Sequence, residues 1–105
     1  MEDLRKRIKK YSELKGISLK HLGVNEYAWK YDDVLMLIDM LSDARIPVLG
    51  GDVYIVKDGT IRPTYSSWYV NDPREIISES WFRAKKYIKN YEYLNRTKNL
   101  YVLDF

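Results

Sequence analysis

Apolar residues return at helical spacing three times along this chain, with strand-like runs between and after them. Leu4, Ile8 and Tyr11 lie a turn apart, with Leu14 following and Arg5, Lys6, Lys9 and Lys10 in the gaps. That pattern predicts an amphipathic basic helix over residues 1–16, stopped by Gly16. The run "ISLKHLG" predicts a short turn or helix, with Ser18 as its N-cap and Gly23 as its end. Over residues 31–44, Val34, Leu37, Ile38 and Leu41 form one stripe. Asp32, Met36, Asp39 and Asp43 step by four, three and four along a second face of the same helix. Asp32 and Asp33 fall in the first turn, where the helix dipole favours carboxylates, and Pro47 bars continuation.

From Ile46 the composition turns β-branched and aromatic, and Asp58-Gly59 is a two-residue hairpin signal. Residues 46–70 therefore read as a strand hairpin, and Pro63 sends its second strand to an edge or a bulge. In "NDPREIISES", Asp72 is an N-cap, Pro73 takes the first helical position and Glu75 closes a capping box. The helix that follows, over 73–94, places Ile77, Trp81, Ala84, Ile88 and Tyr91 on one stripe, with Arg83, Lys85, Lys86 and Lys89 off it. "NLYVLDF", residues 99–105, alternates and predicts a third strand. The whole, residues 1–105, reads as one α+β domain: a small antiparallel sheet of about three strands with helices packed on one face.

Composition narrows the chemistry. The chain has no cysteine and one histidine, His21, which excludes disulfides, thiolate metal sites and a histidine-rich metal site. No motif places a nucleophile beside His21, so a hydrolase is the weakest reading, and no catalytic residue, metal or cofactor is expected. The N-terminus lacks an apolar signal core, and no run reaches the ~18 apolar residues of a membrane span, so a cytoplasmic protein without a membrane partner is expected. Charge is uneven: net +4 over residues 1–30, −4 over 31–60 and +3 over 61–105. The basic ends, "LRKRIKKY" and "RAKKYIKNY", could grip phosphates with rings stacking on bases, but they accompany no nucleic-acid motif. Lysines on the outer faces of amphipathic helices are the preferred account of them, and nucleic acid is not expected as the main partner.

Two adjacent glycines in "IPVLGGDVY" raise the possibility of a phosphate loop, but they open onto strand residues rather than a helix. They read instead as a bulge or bend that re-aims Asp52, which then bonds inside the domain or reaches a partner. The carboxylates Asp32, Asp33, Asp39 and Asp43 have three readings: a solvated face first, a protein-binding face second, towards which Met36 tilts the choice, and a catalytic or metal site last. Trp68 and Tyr69 are adjacent in a strand, so one can be core while the other is exposed.

These runs together resemble a known family. "IPVLGGDVY" after a leucine-rich helix, "SLKHLGVNEYAW", "SSWY" and "ESWFRAKKYIKNY" occur in the order found in the bacterial immunity protein 40 family, over about residues 17 to 105. The family consists of inferred partners of polymorphic toxins, including toxins delivered by cell contact. The resemblance implies a non-catalytic cytoplasmic inhibitor that binds one cognate toxin C-terminal domain and takes no small-molecule substrate. Occlusion of the toxin's active site or substrate groove is the expected mechanism. The candidate contact residues are Asp32, Asp39, Asp43, Asp52, Tyr54, Trp68 and Tyr69. The alternative from another class is a small basic nucleic-acid-binding protein.

Overall fold

The computed structural model describes residues 3–70 and 77–105, leaving aside the side chains of residues 77 and 78. The capping residues Asp72, Pro73 and Glu75 lie outside the described residues. Helix α1 (Leu4–Lys15) begins where the Asp3 carboxylate accepts a hydrogen bond from the Arg5 amide at 2.9 Å. It ends where the Gly16 amide donates to the Ser12 carbonyl. Ile8 is buried, Leu4 and Tyr11 are half-buried, and Leu14 is exposed. At about 100° per residue Leu14 has rotated off the Leu4–Ile8–Tyr11 stripe, so this expected apolar position faces water.

Strand β1 (Ile17–Ser18), a 3-10 turn over Lys20–Leu22 and strand β2 (Tyr27–Ala28) follow, with β1 and β2 paired antiparallel. Ser18 Oγ accepts from the Lys20 amide at 3.3 Å, and Gly23 ends the turn in the left-handed conformation that glycine favours. Helix α2 (Tyr31–Asp43) buries Val34, Leu37, Ile38 and Leu41 completely, the stripe that the sequence spacing defines. Helix α3 (Ile77–Leu94) buries Trp81, Ala84 and Ile88 against it.

Strands β3 (Gly50–Lys57), β4 (Thr60–Tyr69) and β5 (Lys98–Asp104) form an antiparallel sheet in the order β4-β3-β5. The Trp29–Tyr101 pair, with an N–H···O bond in each direction, joins the β2 end to β5. One face of the sheet meets the helices in the main core around Trp29, Trp68, Val53 and Tyr101. A second, smaller cluster of Leu19, Ala28, Leu100 and Val102 covers part of the other face. This is why Asn99 to Leu103 are all buried in β5, where alternation would expose every second residue.

The glycine pair is not a bulge. Pairing of β3 with β5 runs unbroken from Gly50–Asp104 to Val56–Lys98. The irregularity lies in the partner strand: Asp52 pairs with Ser67 and Tyr54 with Pro63, so Thr64 to Ser66 all stand opposite Val53. Thr64 Oγ1 donates to the Val53 carbonyl at 2.8 Å and accepts from the Ser66 amide at 3.1 Å, which locks the extra residues in place. Tyr65, at the crest, has φ 66° and is 91% exposed. The two glycines instead make room for aromatic rings: a Cβ on Gly51 would strike the Trp68 ring, and one on Gly50 would stand 2.9 Å from Tyr69 Cδ1.

Candidate functional site: a carboxylate and aromatic face on the sheet

Strand alternation turns Asp52, Tyr54 and Val56 to the face opposite the main core, where Tyr54 and Val56 pack on the smaller cluster. The chain's last strand brings Asp104 beside this row through its pairing with Gly50. The β2 arm, held to β5 by the Trp29–Tyr101 pair, brings Glu26. One carboxylate oxygen from each of Glu26, Asp52 and Asp104 lies within 4.8 Å of the others. Among the described residues no lysine or arginine lies within ion-pair distance of any of the three.

Proximity shows in the acidities. Burial, then the charge of Asp104, pushes the Asp52 carboxyl above its ordinary value. Burial, then Asp104 and Asp52, does the same to Glu26. The Tyr54 phenol is raised by burial and then by Asp52 and Glu26. Like charges crowded in this way disfavour one another's ionised form. Three carboxylates from three segments make an open anionic patch. Tyr69, half exposed above Gly50, adds an aromatic ring to the same face.

The structure separates the other candidates from this face. Asp32, Asp39 and Asp43 are exposed on α2, whose buried stripe faces the main core, so the core stands between them and Asp52. Asp39 is paired with Lys85 of α3. Trp68 is 8% exposed and stacks on Tyr87 with ring centroids 4.5 Å apart, so it packs the core rather than presenting a ring to a partner. Of the seven candidates, Asp52, Tyr54 and Tyr69 share one face. Sequence reasoning missed Glu26 and Asp104, which stand 26 and 52 positions from Asp52 and join it only through strand register. No local motif signals such a trio.

The family model described as Immunity protein 40 matches residues 18–105. The chain belongs to that family. The matched span takes in the glycine pair and all three carboxylates of the patch, and leaves out α1. Yet α1 is part of this immunity protein's core: Ile8 is buried, and Tyr11 stacks on Trp29 at 5.3 Å between centroids. No curated protein and no solved structure matches the chain. None of the helices among the described residues is long and apolar enough to cross a membrane.

Proposed function

We propose that this protein neutralises one cognate toxin domain, binding it in the cytoplasm and covering its active site or substrate groove without any catalysis of its own. Family membership supports a protein partner of the toxin class. The observation that carries the contact assignment is the trio Glu26, Asp52 and Asp104, without an ion-pair partner among the described residues, beside the half-exposed Tyr69. Complementary charge speeds association and rejects wrong partners, while aromatic rings that become buried hold the complex. Asp52, Tyr54 and Tyr69 are the contacts in this reading. Asp32 and Asp43 would need a second contact area on the helix layer, and Trp68 acts by packing.

Co-expression with the protein encoded immediately upstream tests the reading. The expected result is a stable one-to-one complex and growth protection that depends on this chain. Neither complex nor protection from that neighbour overturns it.

A further inference from the structure

Two hollows adjoin between α1 and the end of the sheet, sharing Ser12, Tyr27 and Phe105 in their walls. Their volumes are about 340 and 400 Å³, the size range of sites that take side chains or small ligands. The floor is apolar: Trp29 and Leu103 under one hollow, Ile8 and Ile46 under the other. The rim carries large apolar groups that the chain leaves in water, with Leu49 54%, Phe105 51% and Tyr27 40% exposed. Glu26 and Asp104 line the first hollow, and these are two members of the carboxylate trio that has no cation among the described residues.

An exposed apolar groove and an uncompensated anionic rim each cost the free protein something. Exposed apolar surface that is contiguous and ringed by polar groups marks an interaction site. Crowded like charges oppose folding unless an opposite charge arrives. One class of occupant answers both. We propose that this groove receives a segment of the toxin in which a lysine or arginine stands beside aliphatic or aromatic side chains. The cation sits between Glu26 and Asp104, and its apolar neighbours lie on Tyr27, Leu49 and Phe105. The inference rests on the reading of this chain as a toxin-binding protein and extends the Asp52–Tyr69 face around the sheet end. It gives α1, which the family match leaves out, a role as one wall of the groove, with Arg5 and Lys9 at the far end to meet an acidic residue of the same segment.

The test measures calorimetric affinity for the upstream-encoded toxin domain at low and high salt. The proteins compared are the wild-type chain, Glu26→Gln with Asp104→Asn, Leu49→Ser, and Asp32→Asn with Asp43→Asn. The groove variants are expected to bind at least about tenfold more weakly, and the double carboxylate variant to lose most of its salt dependence. That variant, free of toxin, is expected to melt no lower than wild type, which separates a contact role from a structural one. The α2 variant is expected to bind within about twofold of wild type. Wild-type binding with the groove variants unchanged, or with the loss confined to the α2 variant, overturns the groove assignment and leaves the toxin reading standing. No wild-type binding overturns both.

Discussion

The ring of Trp68 fills the space that a side chain on Gly51 would need. A Cβ there would also collide with the Val102 carbonyl, and it would stand 2.7 Å from Trp68 Cζ3. Neither neighbour can yield, because Trp68 is stacked on Tyr87 and Val102 is held in β5. Gly51→Ala is therefore expected to cost about 3 kcal/mol, the upper part of the usual range for overpacking a dense core. Urea unfolding followed by tryptophan fluorescence reads the loss; a variant within about 0.5 kcal/mol of wild type contradicts this account of the glycine.

Helix α1 lies outside the family match, but its packing says that the domain needs it. Ile8 is 5% exposed and belongs to the main core. Ile8→Ala is expected to destabilise the whole domain by about 2–4 kcal/mol, as core truncations of that size do. A single cooperative transition at lower denaturant is the expected outcome. Unfolding of α1 alone, with the rest unchanged, would show it to be an appendage.

How much of this was written in the sequence follows from the range of the interactions. The α2 stripe of Val34, Leu37, Ile38 and Leu41 was legible because helical periodicity is local. The antiparallel hairpin was legible from Asp58-Gly59, and the structure pairs the flanking Lys57 and Thr60. The second cluster was not, because Leu19 meets Leu100 only after β1 and β2 fold back across the sheet. The glycine pair signalled a special backbone position but not its cause, which lies in Trp68 and Tyr69 on the neighbouring strand. In the site, Asp52 and Tyr54 share a face by simple alternation. Glu26 and Asp104 join them through register across three segments, which no spacing rule reaches. Solvent exposure misled at Trp68, since adjacent aromatics in a strand do not announce which one turns inward.

The carboxylate trio predicts a pH dependence with a definite sign. The Asp52 and Glu26 carboxyls are raised above 3.8 and 4.5, so the folded chain holds protons there that the unfolded chain has released. More protons on the folded state means that stability falls as pH rises, starting near those ordinary values. Asp52→Asn removes one of the three charges. It is expected to melt above wild type at pH 7, with an advantage that shrinks as pH falls towards 3.8, the ordinary aspartate value, and is lost below it. Melting temperatures at intervals between pH 3 and pH 8 check this, and an advantage that is the same at every pH would mean that relief of repulsion is not its source.

The phenol of Tyr101 donates to Glu92 Oε2 at 2.6 Å, and its ring is wholly buried. The same oxygen accepts from Asn99 Nδ2 at 3.3 Å, so one carboxylate ties the end of α3 to β5. Hydrogen bonds to charged groups are among the stronger ones, and a buried partner left unpaired adds to the loss. Tyr101→Phe is expected to cost about 1.5–3 kcal/mol at pH 7. Burial first, and then the bond to Glu92, raises the phenol's ionisation well above its ordinary value of 10.0. The sign follows from proton counts. Below pH 10 both states hold the proton and the bond contributes in full; above it the unfolded chain releases the proton first, and the contribution declines. Tyr11, Tyr54 and Tyr87 are raised in the same direction, so the variant should flatten the alkaline decline without abolishing it. Denaturation curves for wild type and Tyr101→Phe at pH 8, 10 and 11 should therefore converge as pH rises. A gap that stays constant would mean that the hydroxyl contributes through packing alone.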